Sequence, residues 1–384
     1  MGERYNAMSK CMICGTRLND SPLLMLNDIP AVVQDLPDKS ELQEDHGIDL
    51  RLHQCPTCGL VQFDCEPVPY YRDVIRGGGF SKTLQELRKE QYSYLIKTYN
   101  LENKKIIEIG CGEGEFILPL IKFPVQAFGI ENRDELVQKA INRGLNVWKA
   151  FPEKMDTVIE NGPFDAFVMF NFLEHQPRPN DILRCLFNNL AENGIGLVTV
   201  PSFEYICRKN AFYELMRDHL AYYTVDSFRF LMNYNGFEVI EQRIVNENTL
   251  CAIVRKRKMI DLTGFSENLA LLTQKLSAFV ERKKAEGKKI AVWGASHEAF
   301  MILSITAFGK HVQYIIDSAI FKQGKYAPAS HVPIVEPAHF FSDPVESIVI
   351  IAPEYATEIS RVAKETFGEG IETYSLNGSN LLLV

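Results

Sequence analysis

Residues 104–116, KKIIEIGCGEGEF, constrain the fold more than any other stretch, because an apolar run leads there directly into closely spaced glycines. The three isoleucines of residues 106–109 predict a buried β-strand. The glycines that follow, Gly110, Gly112 and Gly114, permit a sharp turn and a close approach of the backbone to a ligand. The stretch therefore predicts a strand and turn that hold a nucleotide-like cofactor.

The identity of that cofactor is constrained by an acidic residue. Dinucleotide-binding folds usually carry GxGxxG at this point, whereas this chain has GxGxG with Glu108 two residues before the first glycine. A carboxylate there would repel a pyrophosphate but can accept a hydrogen bond from an ammonium or hydroxyl group. This favours S-adenosylmethionine (SAM), a sulfonium that carries an amino acid and a ribose. The glycines alone also fit an ordinary turn without a ligand.

Two later strands extend the pattern. Residues 125–130 are apolar and end at Glu131, a carboxylate placed to bind both ribose hydroxyls of an adenosine. Residues 164–175, FDAFVMFNFLEH, predict a buried strand that opens onto Asn171, Glu174 and His175 near the reactive end of the cofactor.

At this spacing the three elements resemble the class I SAM-dependent methyltransferases, over about residues 104–257. The predicted SAM-binding residues are Glu108, Gly110, Gly112, Gly114, Glu131 and Asn171.

Length and charge limit the remaining choices. At 384 residues the chain predicts two or three domains. Its net charge of −8 and the lack of a long basic run argue against nucleic acid as the partner. The sequence shows no apolar signal region and no apolar run of membrane-spanning length, so we expect a cytoplasmic protein without a membrane partner. The oligomeric state stays open.

Two CxxC pairs, CMICG and CPTCG, predict a structural zinc site. The glycine after each pair permits the tight turn that directs both sulfurs towards one ion. Four thiolates close the coordination sphere, so we assign this ion no catalytic role. A redox disulfide is the alternative. The predicted ligands are Cys11, Cys14, Cys55 and Cys58.

Residues 66–80, EPVPYYRDVIRGGGF, form a linker rich in proline and glycine. Such a loop can close over an active site, which makes Tyr71 and Arg76 candidate substrate-binding residues, or it can be a plain connector. From Ser81, a plausible N-cap, the pattern of apolar residues predicts an amphipathic helix that leads into the first core strand.

The catalytic candidates lie in a long insertion after the fifth predicted strand of the core. Asp218 and His219 are adjacent there, and Tyr222 follows one turn later. Histidine titrates near neutrality and can accept a proton directly, although a lone histidine in a polar loop usually has no function. Together with His175 from the earlier strand, these are the predicted catalytic residues. Residues 236–256 predict an antiparallel hairpin.

A second alternating α/β unit follows a charged amphipathic helix at residues 262–287. Its glycine turn at residues 294–296 lacks the further glycines of a dinucleotide site. Residues 321–334, FKQGKYAPASHVPI, form a basic loop that either holds a diphosphate or connects two strands rigidly. Its candidate substrate-binding residues are Lys322, Lys325 and Tyr326.

The order of cysteine module, methyltransferase core and second α/β unit resembles the sugar C-methyltransferases that act on nucleotide-linked keto-deoxysugars. CMICG with CPTCG, EIGCGEGEF, and GAS followed by the KQGKYAPASHVPI loop carry the resemblance. In that family the first module binds zinc, the core binds SAM and the last domain helps to hold the nucleotide.

The chain departs from the family at its catalytic segment. The family typically has YHEHLSYFS where this chain has MRDHLAYYT, so the histidine is retained at His219 while the preceding glutamate is shortened to Asp218. His297 and Glu298 also stand where a lysine is common. The resemblance therefore supports fold and methyl transfer better than it supports the acceptor.

We predict an α/β protein with a zinc-binding module and linker at residues 1–80, a class I Rossmann-like methyltransferase core at 81–258 and a Rossmann-like substrate-binding domain at 259–384. The leading functional hypothesis is C-methylation of a nucleotide-linked sugar, with His219 as general base and Asp218 orienting the imidazole and favouring its protonated form. O- or N-methylation of a related small molecule and SAM binding without turnover are the alternatives.

Overall fold

The computed structural model describes residues 10–74 and 80–384. The chain divides into two compact units, one ending at Lys258 and the other beginning at Met259. The first unit contains both the cysteine pairs and the glycine-rich turn. A separate N-terminal domain over residues 1–80 stays a prediction.

The first unit alternates strands and helices from its glycine-rich strand onward. Its elements are β1 Leu24–Ile29, β2 Ile48–Gln54, β3 Val61–Phe63, α1 Lys82–Thr98, β4 Lys105–Ile109, α2 Ile117–Leu120, β5 Gln126–Glu131, α3 Asp134–Asn142, β6 Val147–Lys149, β7 Phe164–Phe170, α4 Pro179–Asn189, β8 Leu190–Pro201, α5 Phe203–Lys209, β9 Ala221–Tyr222, α6 Val225–Tyr234, β10 Phe237–Val245 and β11 Thr249–Lys256. Short 3-10 helices lie at Leu173–His175 and Phe212–Glu214.

Seven of these strands form one sheet in the order β10-β11-β8-β7-β4-β5-β6. The pairs of β4 with β5 and β7, of β5 with β6 and of β7 with β8 are parallel, whereas β11 is antiparallel to both β8 and β10. The antiparallel hairpin predicted for residues 236–256 is confirmed. This topology is the class I methyltransferase fold expected from the sequence.

Helices cover both faces of the sheet, because successive residues of a buried strand point to opposite sides. On one face Ile107 of β4 packs in a core that includes Leu183 of α4 and Phe228 of α6. On the other face Ile106 packs in a core that includes Leu95 of α1. Helix α1 begins where the sequence predicts, since the side chain of Ser81 accepts a hydrogen bond from the backbone of Leu84 and so caps the helix.

A second sheet joins the cysteine module to the insertion. Its order is β1-β2-β3-β9, and β3 pairs with β9 through Val61 and Tyr222. The strand β9 begins two residues after His219, so the sheet connects the cysteine module to the predicted catalytic loop. The residues between the cysteine pairs thus form strands of their own.

The second unit is also α/β. Its elements are α7 Thr263–Ala285, β12 Ile290–Trp293, α8 His297–Ile305, β13 Ile315–Ile316, β14 Ile334–Val335, β15 Ser347–Ile350, α9 Ala356–Phe367, β16 Glu372–Asn377 and β17 Asn380–Leu383, with 3-10 helices at Phe308–His311, Pro337–Phe341 and Pro353–Tyr355. The sheet order is β14-β13-β12-β15-β16-β17, parallel except for the last pair. The predicted Rossmann-like second unit is confirmed.

Across the described parts of the chain, the helices are all too short or too polar to cross a lipid bilayer.

Candidate active site

The glycine-rich turn packs too closely against its neighbours to accept side chains at Gly110 and Gly112. Gly110 and Gly112 have backbone φ angles of +64° and +58°, a region that side chains disfavour. A Cβ atom at Gly110 would lie 2.8 Å from the ring of Phe172, and one at Gly112 would lie 2.6 Å from the carboxylate of Glu115. The turn therefore requires glycine at both positions.

Glu131 at the end of β5 is tied to this turn. Its Oε1 accepts hydrogen bonds from the backbone N–H groups of Asn132 and Arg133 at 2.8 and 3.0 Å, and its Oε2 accepts one from Gly112 at 3.0 Å. A carboxylate has about four lone-pair sites, so one site on Oε2 stays available for a ligand hydroxyl. The sequence led us to expect bonds to both ribose hydroxyls, and the backbone contacts leave room for one.

A cavity of about 520 Å³ opens beside the turn. Six residues predicted from the sequence lie on its wall, namely Tyr71, Gly110, Glu131, Asn171, His175 and His219. They come from the linker, three strand ends and the insertion, so the fold gathers segments that are distant in sequence. A volume of this size suits a small-molecule site.

Asn171 follows β7 with a backbone φ angle of +48°. Its backbone N–H donates to the carbonyl of Thr199 at 2.9 Å, and its side-chain oxygen accepts from the Thr199 hydroxyl at 2.8 Å. These contacts fix Asn171 between β7 and β8 on the cavity wall. Glu108 is fully buried within β4.

An aromatic and basic wall forms part of the cavity. The guanidinium of Arg72 lies over the rings of Tyr71 and Phe151 at 5.3 and 5.6 Å, and it pairs with Glu153. The Tyr71 hydroxyl accepts a hydrogen bond from Arg72 at 3.0 Å. These contacts hold Tyr71 in place. Arg76, the other candidate substrate-binding residue of this linker, lies outside the described residues.

Arg88 of α1 supplies a buried positive charge. Its side chain is 4% exposed, lines the cavity and lies over the rings of Phe170 and Phe116 at 3.7 and 4.7 Å. A guanidinium at such a wall is suited to bind a carboxylate. The amphipathic pattern of α1 alone did not identify this residue.

Three donor side chains meet at one end of the cavity. His175 donates a hydrogen bond from Nδ1 to the backbone carbonyl of Asp218 at 2.7 Å, which leaves Nε2 as the acceptor nitrogen. The rings of His175 and His219 are 4.8 Å apart at an angle of 71°. The donor atoms of Glu174, His175 and His219 all lie within 4.8 Å of one another.

Burial sets the charge states of this cluster. Removal from water lowers the pKa of His219 to about 3, with a further lowering by the neighbouring His175. It lowers the pKa of His175 to about 4 and raises the pKa of Glu174 to about 8. At neutral pH both imidazoles are therefore uncharged, and Glu174 is mostly in its neutral acid form.

The carboxylate of Asp218 turns away from this cluster. Its Oδ1 accepts a hydrogen bond from the Tyr70 hydroxyl at 3.2 Å. That hydroxyl in turn accepts from the backbone N–H groups of Val33 and Gln34. The expectation that Asp218 favours the protonated form of His219 disagrees with this geometry, because the carboxylate binds the N-terminal module and the pKa of His219 is lowered.

Tyr222 supports the loop before His219. Its hydroxyl accepts a hydrogen bond from the backbone N–H of Met216 at 2.9 Å and donates to the carbonyl of the same residue at 3.2 Å. Its side chain is 2% exposed. These contacts position the loop, and a direct catalytic role for Tyr222 stays a prediction.

The four cysteines of the CxxC pairs converge. Sγ of Cys11 is 3.4 Å from Sγ of Cys58, Sγ of Cys14 is 3.5 Å from Sγ of Cys55, and all four sulfurs lie within 4.8 Å. A tetrahedral zinc ion with Zn–S bonds of about 2.3 Å places its sulfurs about 3.8 Å apart. All four are free thiols. The cluster therefore fits such an ion.

The candidates in the second unit have different environments. Nζ of Lys322 donates to the carbonyl of Ala295 at 2.9 Å and pairs with Asp317 at 3.0 Å, so it ties the glycine turn to the end of β13. Lys325 and Tyr326 are exposed, and the Tyr326 side chain is 66% accessible. A ligand can reach these last two without displacing an internal contact.

Sequence reasoning gave no role to several cavity residues. Gln34 belongs to the cysteine module, Phe151 follows β6, and Asn246 and Asn248 lie in the turn between β10 and β11. The two asparagines flank a single residue in a hairpin turn, a local signal that could have drawn attention to them. Gln34 has no such signal.

Comparisons with known proteins agree with this architecture. Residues 251–374 match the family model of the C-methyltransferase C-terminal domain, and residues 81–242 match that of a methyltransferase domain. The C-methyltransferase NovU of Streptomyces niveus is 20% identical over 96% of each chain. The carboxy-S-adenosyl-L-methionine synthase of Campylobacter hominis is 25% identical, over 52% of this chain and 79% of that protein.

Among solved structures, the magnesium protoporphyrin IX methyltransferase of Synechocystis with bound SAH matches 49% of this chain and 91% of its own, with 14% identity and a TM-score of 0.39. The two family models cover most of the core and of the second unit, and the similarity to NovU extends over nearly the whole chain. The chain is therefore a SAM-dependent methyltransferase, and it is similar to the C-methyltransferases in its C-terminal part.

Proposed function

We propose that this enzyme methylates a carbon atom of a nucleotide-linked keto-deoxysugar or a related sugar, with His219 as the general base. One observation carries the proposal: His219 is a neutral imidazole on the wall of the cavity that also includes Gly110 and Glu131. A base and the cofactor-binding elements therefore border the same space.

The fit of SAM to this chain is supported by the turn and its surroundings. Gly110 and Arg88 lie on the cavity wall, where the guanidinium of Arg88 is suited to the amino-acid carboxylate, and Glu131 retains one lone-pair site for a hydroxyl. When bound, SAM supplies an electrophilic methyl group whose transfer leaves a neutral thioether. The remaining task of the protein is to generate and orient a nucleophile.

His219 is suited to generate a carbon nucleophile. A proton on the carbon beside a ketone is lost slowly to water, so a positioned base is worth about 10²- to 10⁴-fold in rate. The low pKa of His219 keeps the imidazole unprotonated throughout the neutral range. Its ring is held against His175, whose Nδ1 is fixed by the Asp218 carbonyl. Asp218 thereby acts through its backbone.

The sugar acceptor is supported by the resemblance of the catalytic segment, and transfer to carbon is supported by the name of the relative NovU, a C-methyltransferase. We assign Tyr71, on the wall of the cavity in the first unit, to acceptor binding. Within the second unit we assign Lys325 and Tyr326 to the nucleotide of the acceptor, with Lys322 supporting their loop. Arg76 stays a candidate for the same role.

The four-cysteine cluster is proposed to hold one structural zinc ion. Its sulfur spacing suits tetrahedral coordination, and four thiolates leave no open position for substrate. Because β3 of this module pairs with β9, the ion would also stabilise the loop that carries His219.

A turnover screen against nucleotide-linked keto-deoxysugars tests the proposal. We expect one acceptor to gain a single methyl group by mass spectrometry, and NMR to place that group on the carbon beside the ketone. Methylation of oxygen or nitrogen would contradict C-methylation and favour the heteroatom alternative. SAM binding without any methylated product across the panel, in folded zinc-loaded protein, would contradict the proposed sugar acceptor.

A further inference from the structure

Glu174 is a buried acid on the wall of the same cavity as His219. Glu174 is only 1% exposed and lines the cavity. Its Oε2 atom makes no hydrogen bond to any of the residues that the structure describes. A buried polar atom without a partner is costly, and one that borders a ligand cavity is positioned to bind the ligand.

The neighbouring imidazole does not satisfy this acid. Nδ1 of His175 donates to the Asp218 carbonyl, so Nε2 is the nitrogen that faces Glu174. The distance from Nε2 to Oε1 of Glu174 is 4.0 Å, which is too long for a hydrogen bond. The hydroxyl proton of a neutral Glu174 is therefore not committed to His175.

We propose that Glu174 donates a hydrogen bond to the carbonyl oxygen of the acceptor as the enolate forms, opposite the base His219. This inference rests on the proposed function and deepens it, because it assigns the second half of the acid–base pair. The donor atoms of Glu174 and His219 lie within 4.8 Å of each other, a separation that lets them address adjacent atoms of one ketone.

The surroundings of Glu174 support a neutral acid. Burial raises its pKa to about 8, and no cation contributes a lowering. The titratable groups beside Glu174 are His175, His219 and Tyr223, and burial keeps both histidines neutral and raises the pKa of Tyr223. The carboxylate of Asp218 turns away towards Tyr70, and burial raises its pKa. A carboxylic acid in such a site can donate a hydrogen bond to a developing oxyanion.

The step balances as follows. His219 takes the proton from the carbon beside the ketone, and the electron pair of that C–H bond becomes the C=C bond of the enolate. The carbonyl π pair moves to oxygen, where the O–H group of Glu174 donates a hydrogen bond without full transfer. The enolate carbon then forms the new C–C bond as the carbon–sulfur bond breaks. His219 releases its proton to solvent.

Two variants at position 174 test the assignment on the keto-sugar nucleotide that reacts best in the panel. Glu174→Ala removes the donor and should lower kcat by about 10²- to 10³-fold, with KM changed less than about threefold. Glu174→Gln retains an N–H donor and should stay within about tenfold of wild type. Glu160→Gln is the matched control, because it makes the same substitution at an exposed position and should be silent.

The pH profile gives a second readout. Wild-type kcat should decline as the pH rises through about 8, because ionised Glu174 cannot donate, and this decline should be absent in Glu174→Gln. Wild-type activity in Glu174→Ala, or equal loss in both variants, would overturn the proposal. The proposal would also be overturned if wild-type protein contained one more metal ion per chain than Glu174→Gln, because Glu174, His175 and His219 would then form a metal site.

An acceptor-independent measurement separates this inference from the proposed function. Infrared difference spectra of the SAH complex at pH 6.5 should show the C=O band of a neutral carboxylic acid in wild type and Glu160→Gln, and not in Glu174→Gln. Absence of the band in wild type would refute a neutral Glu174. Its presence supports the inference even if no sugar in the panel reacts.

Discussion

Replacement of Glu131 by alanine should weaken the binding of S-adenosylhomocysteine (SAH), the demethylated form of SAM. Three backbone N–H groups already occupy the Glu131 carboxylate, at 2.8 to 3.0 Å, and one lone-pair site of Oε2 is left for a ribose hydroxyl. The variant therefore loses one hydrogen bond to a charged acceptor. Such a bond contributes about 1.5 to 3 kcal/mol, which corresponds to about 10- to 150-fold in Kd.

The loss at the turn adds to this effect. Without the carboxylate the N–H of Gly112 has no side-chain acceptor, and the glycine turn is less well fixed. We therefore expect the upper half of that range for Glu131→Ala. Glu131→Gln keeps one acceptor oxygen and should lie in the lower half.

Isothermal titration with SAH measures the change. Asp134→Asn is the matched control, because it removes one negative charge three residues after Glu131, at the start of α3. The Asp134 side chain is 79% exposed and pairs with Lys149. An exposed ion pair of this kind contributes at most about 1 kcal/mol, so SAH affinity should be unchanged. An unchanged Kd in folded Glu131→Ala would refute the placement of the adenosine ribose at Glu131.

Two further predictions concern stability. Freshly purified reduced protein should contain one zinc ion per chain. Cys55→Ser should lose both the ion and most of the methyl transfer activity, because β3 of the cysteine module pairs with β9, the strand after His219. Metal-free wild-type protein with full activity would contradict this prediction. The pKa values of His175 and His219 are depressed below the unfolded value near 6.5, so the unfolded state binds more protons and the free energy of unfolding should fall as the pH drops from about 6 to 4. His219→Asn should reduce the pH dependence of the free energy of unfolding in this range by about 1.4 kcal/mol per pH unit. Urea unfolding followed by Trp148 fluorescence in a Trp293→Phe background measures this free energy. An unchanged pH dependence would mean that His219 is not buried in its neutral form.

Local patterns identified the elements that build the cofactor side of the site. The strand β4, the glycine turn and the cap at Ser81 depend on residues close in sequence, and their positions follow from strand periodicity and the demands of positive φ angles. The cysteine cluster was predictable for a similar reason. Each CxxC pair is a local turn that supplies two sulfurs, and a four-coordinate zinc site requires two such pairs.

Contacts between distant segments were not predictable from one sequence. Tyr70 and Asp218 are 148 residues apart, and long-range contacts such as the pairing of β3 with β9 bring them together. The sequence accordingly directed the Asp218 carboxylate to His219, whereas the fold directs it to Tyr70. Glu174 was visible as a polar residue after a buried strand, but its role depends on the depth of burial, which periodicity does not give.

The central claim is that His219 removes a proton from the carbon that is methylated. The direct measurement is exchange of that proton into deuterated water, followed by NMR with the reacting keto-sugar nucleotide and with SAH in place of the methyl donor. Wild type and the control His46→Asn, which changes an exposed histidine of the same unit, should exchange at equal rates. His219→Asn should exchange about 10²- to 10⁴-fold more slowly with unchanged SAH affinity, whereas wild-type exchange in His219→Asn would contradict the general-base role.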